Sequence, residues 1–203
     1  MPRVFFNPHA RERIVERGSG REPMRFHERL PGYAPTPLVA APGLAERLGV
    51  ASVLVKDESS RLGLPAFKLL GASWATYQLA IRRLGHEPQW RTLDELRAHF
   101  AVLRPLALTT ATDGNHGRAV AHVARLFGFE ARIFVPAGTA QARIDAIASE
   151  GATVTVVDGS YDDAVRRAAE EAGDRCIVVS DTSWPGYTEV AAWVNGRILH
   201  DPA

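Results

Sequence analysis

The chain has 203 residues and is 46% hydrophobic, enough to bury one sizeable core or two small ones. Its 24 basic and 23 acidic residues nearly cancel, so the balance argues neither for a nucleic-acid partner nor for a membrane surface. No run reaches the length of a membrane span, no signal-peptide core opens the chain, and the single cysteine, Cys176, fits a reducing, cytoplasmic setting.

Residues 1–30 are polar and charge-rich, and Gly18, Ser19 and Gly20 interrupt them. They predict a solvated or interface-draping arm with one short helix around Ala10 to Arg17. Pro31 to Pro42 holds four prolines and must be extended or turning. A short helix follows over Gly43 to Leu48, ended by Gly49. Ser52 to Lys56 alternates as a strand. After a loop, Phe67-Lys68-Leu69-Leu70-Gly71 leads into a helix reaching Leu84. Thr92 and Glu95 have the spacing of a capping box for a helix through Leu103.

From Leu106 the pattern becomes regular. Strands over Leu106–Thr109, Ala131–Val135, Thr153–Val157 and Cys176–Val179 alternate with helices over His116–Phe127, Ala140–Glu150 and Tyr161–Ala172. Ser160 is the cap of the third of these helices, and a final helix is expected over Thr188–Leu199. This alternation predicts an α/β fold: a parallel sheet with helices on both faces. Cys176 opens an apolar run and reads as a buried strand thiol.

Chemistry concentrates where strands end. Thr109 to Gly117 is a small-residue loop between a buried strand and a helix N-terminus, where free N–H groups can cradle an anion or a carbonyl. The other reading of that loop is a plain βα turn in which Asp113 or Asn115 caps the helix. Asp181 follows the fourth strand, so Asp113 and Asp181 can face one crevice at the carboxyl edge of the sheet. Lys68 lies between Phe67 and Leu69-Leu70. An ammonium among apolar neighbours is disfavoured, which is the condition for a nucleophilic or Schiff-base amine; the alternative is a surface lysine at a helix start. The seven histidines are scattered, and His116 and His122 lack the spacing of a helical metal pair.

Taken together, four stretches resemble the β-family, or fold type II, of pyridoxal-phosphate enzymes. They are Pro35-Thr36-Pro37-Leu38, Val55-Lys56-Asp57-Glu58, Ala66-Phe67-Lys68-Leu69-Leu70-Gly71 and Asp113-Gly114-Asn115-His116-Gly117. Within that family, Ala111 to Arg118 and Asp181-Thr182-Ser183-Trp184-Pro185-Gly186-Tyr187 are most similar to the ammonia-lyases that act on 2,3-diaminopropionate. The dehydratases of the family usually carry serine where Asp113 stands. The likeness runs from about Pro31 to Arg197.

The resemblance implies pyridoxal 5'-phosphate as cofactor, with Lys68 forming the internal aldimine and Asn115 and Phe67 at the cofactor. It implies Asp181 and Asp113 as bases for the L and D substrate enantiomers. The implied reaction is an α,β-elimination giving pyruvate and ammonia from a small amino acid. The implied assembly is a homodimer. Residues 31–90 correspond to the N-terminal part of the family's large domain and 91–203 to its small α/β domain. The family holds the cofactor phosphate with a Gly-rich loop in its C-terminal half, and no second such loop occurs before Ala203. The expectation is therefore a partial chain: a fragment, a truncated product or half of a split enzyme. The alternatives are a serine or threonine dehydratase and a non-catalytic remnant that binds a partner chain.

Overall fold

The structure, a computed structural model, describes residues 21–195. The helix expected around 10–17 and the last turn of the one expected over 188–199 lie outside the described residues.

Helix α1, Glu22–His27, opens the described chain. It corrects the expectation of a solvated arm for residues 22–30. Phe26 and Leu30 are buried, and the Phe26 ring lies 4.6 Å from Tyr77, 5.6 Å from Trp74 and 6.0 Å from Trp90. Phe26 lies in α1 and Leu30 in the turn after it, and a composition dominated by charge conceals that pair. Strand β1 (Leu38–Ala40), helix α2 (Pro42–Leu48) and strand β2 (Leu54–Lys56) follow, with β1 and β2 antiparallel. Gly49 ends α2 at φ 65°, a conformation other residues rarely adopt. Leu38, Val39, Leu54 and Val55 of this small sheet are exposed.

The next loop is pinned by a buried guanidinium. Arg61 donates from Nε to Glu58 Oε2 and from Nη2 to Glu58 Oε1 and Thr36 Oγ1, each at 2.7 Å. A planar fork suits such paired acceptors. That loop delivers the chain to helix α3, Lys68–Leu84. Leu69 to Tyr77 is buried throughout, so α3 is a core helix whose first residue reaches an edge of the molecule. Helix α4, Leu93–Phe100, starts as predicted: Thr92 Oγ1 accepts from the Glu95 N–H at 3.3 Å. The Glu95 carboxylate accepts from the Arg91 N–H at 2.6 Å, one residue earlier than a reciprocal capping box requires.

Four strands then form one parallel sheet: β3 (Ala107–Ala111), β4 (Glu130–Pro136), β5 (Thr153–Val157) and β6 (Cys176–Val178), in the order β5-β4-β3-β6. Helices α5 (Asn115–Phe127), α6 (Gln141–Ala148), α7 (Tyr161–Glu170) and α8 (Glu189–Asn195) complete the fold. Val120, Val123, Ala124 and Phe127 of α5 enter the main core with α3. Ala164 and Ala168 of α7 pack on Ala111 and Phe134 from the opposite face. Helices thus cover both faces of a parallel sheet, as the alternation predicts.

The strand order has one consequence for chemistry. Strands β3 and β6 are neighbours, so the segments leaving their carboxyl ends emerge side by side. Helix α3 packs against both α5 and α8, which brings Lys68 to the same place. No helix among the described residues is long and apolar enough to cross a membrane.

Candidate active site

Thr112, not Asp113 or Asn115, organises the loop after β3. Its Oγ1 accepts from the Gly114 N–H at 2.9 Å and the Gly117 N–H at 3.0 Å. Neither Asp113 nor Asn115 caps α5: its N-cap is Gly114, with no side-chain cap hydrogen bond, and the Thr112 hydroxyl, two or more residues before the free N–H groups, makes the turn instead. Gly117 is there for packing. A Cβ on it would lie 2.2 Å from Thr112 Cγ2 and 2.8 Å from Ile133 Cγ2, so glycine lets the helix approach the sheet.

Lys68, Asp113, Gly114, Asn115, His116, Arg143 and Asp181 line one cleft of about 250 Å³. The sequence-based pairing of the two aspartates across a crevice thus has a geometric counterpart. Lys68 Nζ donates to Asp181 Oδ2 at 2.7 Å, with side chains 25% and 17% exposed. The expected apolar setting for Lys68 is corrected: the ammonium is paired with Asp181, and the Phe67 ring, 37% exposed and outside the cleft lining, lies 5.6 Å from Nζ. Leu69 and Leu70 point into the core, as successive helical residues diverge around the axis.

His116 sits behind the pair. Its Nε2 donates to Val179 O at 2.8 Å, since a carbonyl can only accept. Its Nδ1 is buried without a hydrogen-bond partner among the described residues and lies 3.8 Å from Asp181 Oδ2. Burial pushes the imidazole pKa down, against the opposing pull of Asp181. Burial pushes the Asp181 carboxyl up. The facing His116 and the hydrogen-bonded Lys68 ammonium together outweigh it and hold the acid below the usual carboxylate range.

That depression has a signed consequence. The unfolded chain binds a proton at Asp181 before the folded chain does. The contribution is complete above the ordinary carboxylate value and disappears as pH falls through the lower folded value. Asp181→Asn is therefore expected to flatten part of the acid limb of a stability-pH profile from roughly pH 5 downward, measured by urea unfolding. Glu150 keeps a share of that limb in the variant. Burial raises its carboxyl, but hydrogen bonds from His122, Arg125 and Arg118 hold it low.

The other two residues stand at the rim. The Asp113 side chain is 79% exposed, with Arg143 Nη1 3.8 Å from its Oδ2 and donating to its backbone O at 2.8 Å. Asn115 is exposed at the first turn of α5. Sequence reasoning missed Thr112, His116 and Arg143 as parts of this site. His116 had a signal, since it lies inside the Asp113 to Gly117 stretch; Arg143 had none, because it arrives from α6.

A primary amine, a side-chain amide, two carboxylates and an unpartnered buried imidazole nitrogen converge on this hollow. The donor set fits the aldehyde end of pyridoxal phosphate: an amine to capture the carbonyl, an amide to meet the ring hydroxyl and acids to move protons. Comparison with known proteins agrees. The chain belongs to the family described as pyridoxal-phosphate dependent enzyme, whose sequence model matches residues 29–197. Its structural neighbours are fold type II enzymes of that kind.

Within the family it is 43% identical over 171 residues to diaminopropionate ammonia-lyase of Escherichia coli K12, covering 84% of this chain and 42% of that one. It is 39% identical over 178 residues to the Salmonella typhimurium enzyme of the same name, covering 86% and 44%. The E. coli enzyme solved in complex with an aminoacrylate-PLP azomethine reaction intermediate superposes with a TM-score of 0.73 at 41% identity, covering 85% of this chain and 43% of that chain. A mouse L-serine dehydratase/L-threonine deaminase is 29% identical over 65% of this chain. The chain spans less than half the length of these relatives.

Proposed function

We propose that this chain carries the lysine and the two acids of a lyase converting 2,3-diaminopropionate and water to pyruvate and two molecules of ammonia. The observation that carries the reading is the 2.7 Å contact between Lys68 and Asp181 in a cleft that Asp113 also lines.

Bound pyridoxal phosphate supplies an electron sink for negative charge developing at the substrate's Cα. Lys68 would hold the cofactor through its aldehyde, and Asn115 would offer an amide to its ring hydroxyl. Asp181 accepts the Cα proton of the L isomer and Asp113 that of the D isomer, one from each side. Once Lys68 no longer carries an ammonium, Asp181 loses the charge that held its proton affinity down. Burial then makes it a stronger base at the moment a base is needed. A carboxylate at position 113, where dehydratases use a hydroxyl, suits a cationic β-amino group. The reading includes a cytoplasmic setting, supported by the lone, buried Cys176. It also includes a homodimer, supported by the exposed apolar side chains of β1 and β2.

The test is pyruvate release by the polypeptide that carries this sequence, supplied with the cofactor. Diaminopropionate should be consumed in preference to serine. Asp113→Asn should lower turnover of the D isomer by roughly 10²–10⁴-fold and that of the L isomer far less, and Asp181→Asn should lower the L isomer most. Preference for serine, or equal loss of both isomers in both variants, would count against the assignment.

A further inference from the structure

The backbone that carries Asp181 is held by a side chain that touches nothing in the cleft. Among the described residues, strand β6 is at the edge of the sheet, with β3 on one side and no strand on the other. Its last ladder bond runs from the Val179 N–H to Thr109 O at 2.8 Å. On the open side, the Val178 carbonyl and the Ser180 N–H point the same way, as residues two apart in a strand do. A neighbouring strand would satisfy both. Here one oxygen does: Tyr187 Oη accepts from the Ser180 N–H at 2.8 Å and donates to Val178 O at 2.9 Å.

Local sequence puts that phenol in place. Trp184-Pro185-Gly186-Tyr187 is a tight turn with proline second and glycine third, and Gly186 has φ 86°. The Tyr187 N–H donates to Trp184 O at 2.8 Å, closing the turn. The two rings then stack at 4.1 Å and 11°, which fixes the tyrosine's direction. Burial pushes the phenol's pKa well up, so it stays a donor.

Two further bonds complete the clamp. Val179 O accepts from His116 Nε2 at 2.8 Å, and Asp181 O accepts from Asn195 Nδ2 at 2.8 Å. From Val178 to Asp181 the main chain is therefore anchored residue by residue, from the sheet, α5, α8 and the turn.

We infer that Tyr187 is a positioning residue for Asp181: its hydroxyl bridges the outer edge of β6 and thereby holds the carboxylate on Lys68. The inference deepens the proposed function and rests on it for its catalytic meaning. Its geometric content is independent of turnover. A merely structural tyrosine would change stability alone; a positioning one changes the environment of Asp181.

The experiment is a ¹³C-carboxyl NMR titration of Asp181 in the full chain, without cofactor, in wild type and Tyr187→Phe. The variant keeps the stacked ring and removes only the hydroxyl. The groups that set the signal are Lys68 of α3, His116 of α5, Tyr161 of α7, and Asp113 and Arg143 across the cleft. The expected result is an Asp181 midpoint moved up toward the ordinary carboxylate value, with faster amide exchange at Ser180. An unchanged midpoint in the folded variant would overturn the inference. If Tyr187→Phe does not fold, Asn195→Ala decides, since it removes one exposed bond to the same backbone. A smaller upward shift there supports the clamp, and none overturns it. Absence of any covalent cofactor capture at Lys68 would overturn the functional reading and leave this titration standing.

Discussion

Lys68→Ala is expected to leave a folded chain that no longer captures pyridoxal phosphate and that releases pyruvate at least ~10²–10⁴-fold more slowly, the loss typical of a missing acid-base group alone. Lys56 and Lys68 are the only two lysines in the sequence. Lys56 belongs to β2 and donates to Thr36 O at 2.8 Å, so it is committed elsewhere and cannot substitute. The variant has a second readout. Asp181 loses the ammonium at 2.7 Å while remaining largely buried, so burial should raise its carboxyl pKa. Cofactor absorbance and the Asp181 carboxyl titration together check both halves. Normal capture of cofactor by the alanine variant would contradict the assignment of the amine.

The largest stability effect is expected from Gly71→Ala. A Cβ at Gly71 would lie 2.0 Å from Val194 O and 2.8 Å from Val194 C. These are backbone atoms of α8, so no side-chain rotation relieves the clash and the helix itself must move. Val190, Ala191 and Val194 of α8 are buried, and α3 packs directly on that helix. Overpacking of this kind costs about 3 kcal/mol or more. The matched control is Gly43→Ala in α2, where a Cβ meets nothing within 4 Å. That change should be neutral or stabilising by up to about 1 kcal/mol. Urea midpoints compare the two. Equal midpoints would mean that α3 and α8 are not in contact as described. The same contact sets the geometry of the cleft, because α3 begins at Lys68 and α8 carries Asn195, which holds Asp181.

Much of this was legible before any coordinates. Alternating apolar runs and small-residue turns located the four parallel strands. Gly49 marked the end of α2, while Pro42, read as part of the extended stretch, is in fact its first residue. The motif stretches named Lys68, Asp113, Asn115 and Asp181 as residues of one site. What stayed hidden depends on partners far apart in sequence. Phe26 and Leu30 sit in a charge-rich segment, and their burial is visible only once α3 supplies Trp74 and Tyr77. Lys68 is apolar-flanked along the chain, but the helix turns Leu69 and Leu70 into the core, and an acid from another loop meets the amine. Thr112, rather than the more conspicuous Asp113, caps the loop, because the position of its hydroxyl relative to the free N–H groups decides the bond. Tyr187 stood inside a recognised motif, yet its role appears only when β6 is found at an edge.

The central claim is that Lys68, beside Asp181 and Asn115, is the amine of a pyridoxal-phosphate site. Reduction with borohydride after incubation with pyridoxal phosphate, followed by peptide mapping, tests it on the chain as it stands. The label is predicted on Lys68, with Lys56 spared. Label on Lys56 instead, an even division between the two lysines, or no label on either would contradict the claim.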